Sequence, residues 1–476
     1  MPEKNSATNP EFIASLQEIV GPKGIRTADD DLSVYHREWR GLYQGRARVI
    51  VRPASTDETA RVVARCAAES VSMVPMGGNT GLVGAAVSAE DQVIISTERM
   101  TAIRSIDLND NTITVESGCI LQTLQETAAE HDRLFPLSLG AEGTCRIGGN
   151  LGTNAGGTGV LRYGNTRDLT LGIEAVLADG SVWNGLRRLR KDNTGYDLKH
   201  LFVGSEGTLG IITAAVLKLF PRPRQVETAF IAVPSPDAAL DLFNRARAGS
   251  GEAVSAIEFM DDTGVSFACK HINGVTNPLS EPSPWYILLE LSSTADDGTM
   301  RGRMELILEE AFEAAIVTDA ALATNEAQAR AFWHIRHGLV EAQLFEGGSI
   351  KHDVSVPISA VPAFLDQAMG AVTTLLPGIR PCPFGHLGDG NIHFNLSQPE
   401  GMDRQAFLDR WHEFSDRVHD IVSALGGSIS AEHGIGILKR DENARRKDPT
   451  EYAMMVAVKR ALDPHNLMNP GKLVSL

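Results

Sequence analysis

Along the first half of the chain, apolar residues recur at helical spacing and then at extended spacing, with glycine between them. Ser55-Thr56-Asp57-Glu58 has the form of a capping box, whose serine and glutamate satisfy the first amides of a helix. It predicts an amphipathic helix through about Glu69. A short strand follows around Val71–Pro75. Further strands are expected at Gln92–Ser96 and Thr112–Glu116, both rich in β-branched residues. Leu121 to His131 reads as a helix, whereas residues 148–157 carry too much glycine for a packed element. The block closes on residues 204–212 and a strand running to Phe220. Pro221-Arg222-Pro223-Arg224 then marks a boundary, since two prolines in four residues interrupt helix and sheet alike.

Beyond that boundary the pattern changes. Strand-like runs at Ala229–Val233 and Trp285–Leu291 alternate with helices at Met300–Ala315 and Glu326–Gln343. Asp403–Leu425 reads as one long helix, and Asp463–Leu473 as turn chemistry. No repeat or low-complexity segment is present. The pattern predicts an α+β chain of three parts, 1–223, 224–425 and 426–476.

The sharpest local signal is His386-Leu387-Gly388-Asp389-Gly390-Asn391-Ile392-His393. Asp-Gly favours a two-residue type I′ hairpin turn. Centred there, the register sets Gly388 against Asn391, Leu387 against Ile392 and His386 against His393. Opposed residues share a face, so two imidazoles meet, with Phe384 and Asn395 next along it. That is half of a divalent-metal site. Its third arm is expected in Ala431-Glu432-His433-Gly434-Ile435-Gly436, where a carboxylate and an imidazole sit side by side.

Composition narrows the function. At 476 residues and 43% hydrophobic content, the chain has material for sizeable cores. Mean hydropathy is -0.09, and no apolar run approaches a membrane span. The net charge of -16, with no offsetting basic tract, excludes a nucleic-acid partner. Five scattered cysteines form no CxxC pair and point to a reducing compartment. Met1–Ser6 lacks the pattern of a secretory or organellar signal, so the cytoplasm is expected, with peripheral membrane attachment left open.

Glycine-rich loops at 76–84 and 148–157 are good anion cradles, because their backbone amides are not covered by side chains. Neither matches GxGxxG, and a Walker A pattern is absent. Residues 75–82 resemble the pyrophosphate loop of the FAD-binding fold shared by vanillyl-alcohol oxidase and p-cresol methylhydroxylase. Residues 140–150 and 204–210 are similar to that fold's other flavin contacts, and 385–395 with 430–436 resemble its FAD-linked D-2-hydroxyacid dehydrogenase branch. The resemblance runs from about residue 45 to Lys472. It implies a two-part FAD-binding fold of the p-cresol methylhydroxylase type, an α+β substrate or cap domain, and a C-terminal helical segment closing the active site and flavin pocket. The expected FAD contacts are Pro75, Gly77, Gly78, Asn79, Thr80, Gly81, Leu82, Gly140, Gly143, Gly148, Asn150, Thr153, Asn154, Gly156, Glu206, Gly210, Ile211 and Asn469. Some members attach FAD through a histidine just after the paired glycines. Asn79 stands there and cannot form that bond, so the FAD is expected to be noncovalent.

The resemblance also implies oxidation of a D-2-hydroxyacid to the 2-oxoacid by hydride transfer to flavin. The nearest members act on D-2-hydroxyglutarate; others act on D-lactate or glycolate. A metal on His386, His393 and Glu432 would bind hydroxyl and carboxylate together. Zinc is the default, and manganese or iron would also suit this ligand set. His433 is the expected general base, since imidazole titrates near neutrality. Arg336 and Lys351 are expected to clamp substrate carboxylates, with Asn395 donating a hydrogen bond. The members acting on 2-hydroxyglutarate carry a hydroxyl one helical turn after this arginine, where this chain has Val340. That difference makes D-lactate or another less polar hydroxyacid the competing substrate. A metallohydrolase built on the two-His/Glu site, or a non-catalytic flavin subunit, would carry the same residues to a different end. The expected electron acceptor is an electron-transfer flavoprotein or the quinone pool, and the chain a homodimer.

Overall fold

The computed structural model describes residues 9–28 and 30–476. Met1–Ser6, read above for targeting signals, lies outside them. The chain forms two units. The first takes the residues up to Gly157, Tyr163–Pro221 and Glu432–Leu476; the second takes Thr158–Arg162 and Arg222–Ala431.

In the first unit, Ile25–Arg26, Val49–Val51, Val93–Ser96 and Met73–Met76 form a four-stranded sheet in that spatial order. An antiparallel five-stranded sheet runs Ile103–Asp107, Thr112–Glu116, Ile211–Lys218, Thr170–Val176 and Val182–Gly185. The capping box forms as expected. Ser55 Oγ accepts from the Glu58 amide (3.1 Å), and Glu58 reaches back to the Ala54 amide (2.7 Å), opening the helix Thr56–Ala68. The chain's end is tied in by Lys459, whose buried ammonium donates to the carbonyls of Thr208 and Met468 at 2.8 Å each.

Two expected elements differ. Residues 147–153 form a helix despite their glycines. Ile147, Asn150 and Leu151 bury one stripe, and Asn154, in the left-handed region at φ 51°, terminates it. Gly148 is needed for close approach, because a Cβ there would lie 2.7 Å from the Ser117 side chain. The segment 403–425 is two helices, Arg404–Leu408 and Trp411–Ala424. Arg410, between them, turns to the Glu413 carboxylate (2.7 Å) and the Leu375 carbonyl (3.1 Å).

The second unit is one antiparallel sheet of eight strands. Its order is Asp319–Leu322, Gln225–Val233, Trp285–Ser293, Val254–Asp261, Arg380–His386, Asn391–Ser397 and Ser349–Ile350, with Asp353–Ser355 also pairing to Asn391–Ser397. One face packs its larger core against the helices Pro236–Ser250, Thr299–Glu313, Val361–Leu375 and Trp411–Ala424. The other packs against Asp262–His271 and Glu326–Ala342. Among the described residues no helix is long and apolar enough to cross a membrane, and the five cysteines are free, four of them buried.

Candidate active site

The hairpin forms, but with a longer loop. A type I′ turn needs positive φ at both central residues; Gly390 has φ 77° and Asp389 does not. Leu387 is instead drawn into the core, fully buried, with its amide on the Ile257 carbonyl (3.0 Å). The loop therefore spans 387–390, and His386 pairs with Asn391, Gly385 with Ile392 and Phe384 with His393. This corrects the expected register by two residues. A slip of two preserves facing, whereas a slip of one would reverse it. His386 and His393 thus share a face as a diagonal pair, ring centroids 5.7 Å apart.

Two carboxylates that sequence reasoning missed stand behind these imidazoles. Glu258, directly across from His386 on the neighbouring strand, accepts from His386 Nδ1 at 2.6 Å. Asp353, paired to His393 in register, has its carboxylate 3.8 Å from His393 Nδ1. Asp353 also accepts from the Asn391 amide at 3.0 Å. The signal for Glu258 was available: it is a charge in the middle of the apolar strand Val254–Asp261.

Arg336 reaches the same face. Asn325 caps its helix through the Gln328 amide (3.0 Å), and Phe332, Ile335, Arg336 and Leu339 form the buried stripe. Arg336 is 6% exposed, donates from Nε to Glu258 (2.7 Å) and lies over the Phe384 ring at 4.7 Å. Burial alone would push the Glu258 carboxyl up, but His386 and Arg336 beside it hold it below the usual carboxylate range. Asn395 is buried, and its amide donates to Gln343 (3.1 Å). Lys351 lies between two short strands, half-buried. Val340, by contrast, is 47% exposed. His352 is structural, held by the Phe394 carbonyl and the Ser415 hydroxyl.

Glu432 and His433 belong to the first unit, side by side with Oε1 and Nε2 3.9 Å apart. The loop carrying them is pinned by Glu206. Its two oxygens accept from the Ile435 and Gly436 amides, at 2.7 Å each. A Cβ on Gly434 would strike that carboxylate at 2.7 Å. Burial raises the Glu206 carboxyl while the two amides oppose the shift. Glu206 therefore holds the loop, where the sequence suggested a flavin contact. Asn469 supports it, donating to the Glu206 carbonyl at 2.7 Å and the Ala85 carbonyl at 2.9 Å.

The glycine loops at 76–84 and 140–152 are partly packed together and partly open. Gly77 and Gly78 press on residues 144–149; a Cβ on Gly78 would lie 2.3 Å from the Thr144 carbonyl oxygen. At Gly81, Gly140, Gly149 and Gly152 an added Cβ meets nothing within 4 Å. Uncovered backbone beside open space is what a pyrophosphate-bearing group requires, so these residues fit FAD. Other expected contacts have side chains engaged with protein. Asn154 accepts from the Arg167 amide (2.9 Å), Thr153 donates to the Gly149 carbonyl (3.1 Å), and Ile211 is a core residue.

A family model for the C-terminal domain of FAD linked oxidases matches residues 222–473, and one for an FAD binding domain matches 47–185. The chain belongs to the FAD-linked oxidases. This family member is similar to the mitochondrial D-2-hydroxyglutarate dehydrogenase of Arabidopsis thaliana, 37% identical over 98% of this chain and 82% of that one. It is also similar to the D-2-hydroxyglutarate dehydrogenase of Xanthomonas citri pv. viticola, 36% identical over 98% of this chain and 97% of that one. A solved structure of p-cresol methylhydroxylase with substrate bound shares its fold, with TM-score 0.76 and 16% identity over 97% of this chain and 96% of that one. The α+β fold is therefore the one expected, and this FAD-linked oxidase is an FAD-dependent oxidoreductase, which sets the metallohydrolase reading aside.

Asn79 bears on how the flavin is held. Its side-chain amide donates to the carbonyls of Arg37 (2.9 Å) and Val34 (3.3 Å), so it braces the loop. Acid precipitation is expected to release essentially all flavin as FAD. Flavin retained on the denatured chain would overturn noncovalent binding.

Proposed function

We propose that this FAD-linked oxidase oxidises D-2-hydroxyglutarate to 2-oxoglutarate, with a divalent cation, zinc by preference, held by His386, His393 and Glu432. The observation that carries the reading is Arg336. It is a buried guanidinium on the same sheet face as two imidazoles, with Nε fixed by Glu258. That bond leaves the terminal N–H groups to an anion, and a guanidinium fork suits a carboxylate. The names of the relatives above support the same substrate.

Bound FAD supplies the two-electron acceptor, and the cation supplies positive charge beside the substrate hydroxyl and its neighbouring carboxylate. Arg336 and Lys351 bind the carboxylates, and Asn395 helps orient the acid. His433 takes the hydroxyl proton on an imidazole nitrogen while the α-carbon loses its hydride and the C–O bond becomes double. Reoxidation falls to an external acceptor, an electron-transfer flavoprotein or a quinone.

One observation favours a second reading. Val340, one turn after Arg336, has a side chain with no hydrogen-bond donor for a second carboxylate, which suits D-lactate better. Dye-coupled turnover of paired D- and L-acids separates the two. D-2-hydroxyglutarate is expected to exceed D-lactate in kcat/KM by roughly tenfold or more, since one hydrogen bond to a charged group is worth ~1.5–3 kcal/mol. D-lactate in the lead would replace the substrate, and preference for L-acids would overturn the stereochemistry.

A further inference from the structure

We propose that Glu258 is a positioning residue that builds the metal side and the substrate side of this site as one piece. This rests on the reading above and deepens it. The carboxylate is fully buried, and its two oxygens face different partners. Oε1 accepts from His386 Nδ1 at 2.6 Å, and Oε2 accepts from Arg336 Nε at 2.7 Å.

Each bond fixes something the chemistry needs. An ionised carboxylate only accepts, so Nδ1 of His386 carries the hydrogen, and in the neutral ring the lone pair is then on Nε2. That is the tautomer a metal ligand requires, and the partner that imposes it also sets the ring's angle. On the other side, Nε is the inner nitrogen of the guanidinium. Holding it points the two terminal nitrogens outward, and the Phe384 ring beneath Arg336 keeps the plane from rolling.

The strands make the arrangement stiff. Glu258 and His386 are directly paired residues of neighbouring strands, so their Cα atoms are fixed by ladder hydrogen bonds. Phe384 pairs with Met260 two residues along the same ladder. His393 has a comparable carboxylate, Asp353, but at 3.8 Å from Nδ1, and Asp353 is also engaged by Asn391. Of the two carboxylates, Glu258 is the one that joins an imidazole to a guanidinium. Glutamine keeps its volume but offers one oxygen and one N–H₂ group, so it cannot accept from both partners.

The test uses full-length, FAD-loaded protein with Glu258→Gln and Glu258→Asp. Zinc affinity is read by competition with a chromogenic chelator. Affinity for 2-oxoglutarate is read from the flavin spectrum at saturating zinc, which isolates the Arg336 side. Glu258→Gln is expected to weaken zinc ~10–100-fold, the usual effect of losing a ligand's outer partner. It should also weaken 2-oxoglutarate several-fold with FAD content unchanged. Glu258→Asp, which keeps two acceptors, should recover part of both losses and keeps the test valid if the glutamine variant fails to fold. Loss of zinc affinity alone, or of 2-oxoglutarate affinity alone, would overturn the joint role. Unchanged affinities would overturn it while leaving the metal reading standing. A wild-type protein that takes up no zinc would overturn both.

Discussion

Replacing His393 with alanine is expected to lower turnover by more than ~100-fold, because loss of a ligand should exceed the 10–100-fold cost of losing a ligand's outer partner. Glu432→Gln should do the same, since an amide oxygen is a poor substitute for a carboxylate toward a hard or borderline cation. FAD should stay bound in both variants. His393 lies in the second unit, while the glycine loops lie within the first, and Glu432 is not among their residues. Metal analysis and flavin absorbance on one preparation check this. Activity that survives with the metal lost would remove the cation from the reaction.

Replacing His433 with alanine should cut kcat by ~100-fold or more, within the range of a general base, with metal content little changed. Arg336→Ala should behave differently. It removes a charge that meets carboxylate in ground state and transition state alike, so KM should rise more than kcat falls. The structure adds a second consequence. Arg336 and Glu258 form a buried pair, and removing Arg336 leaves Glu258 Oε2 unpaired while His386 still holds Oε1, at a cost of ~1–3 kcal/mol. A lower Tm should therefore accompany the KM effect in Arg336→Ala. A fall in kcat with unchanged KM in Arg336→Ala would place that guanidinium away from substrate.

Much of this site was legible because it depends on parity and not on detail. The hairpin was expected with the wrong loop, yet His386 and His393 share a face because the error was even. The loop itself was not legible. Its length depends on Leu387 finding the core beside Ile257, a contact more than 100 residues away in sequence. Glu258 was missed for a related reason. A charge in an apolar strand is a weak signal until the strand across from it is known, and that strand begins at Arg380. Glu206 shows the opposite case. Its glycine-rich setting suggested a flavin contact, whereas its carboxylate bonds show it fixing the loop that carries Glu432 and His433. The helix at 147–153 was missed because glycine counts against a helix on propensity, while tertiary packing of Ile147 and Leu151 decided otherwise.

Anaerobic mixing shows whether FAD and a cation act together on a D-2-hydroxyacid. Zinc-loaded enzyme and enzyme stripped by chelator are each combined with D-2-hydroxyglutarate, and oxidised-flavin absorbance is followed over time. Rapid bleaching is expected of the loaded enzyme, slow or absent bleaching of the stripped enzyme, and recovery when zinc is restored. Equal bleaching with and without metal, or none with D-2-hydroxyglutarate in either, would contradict that joint action.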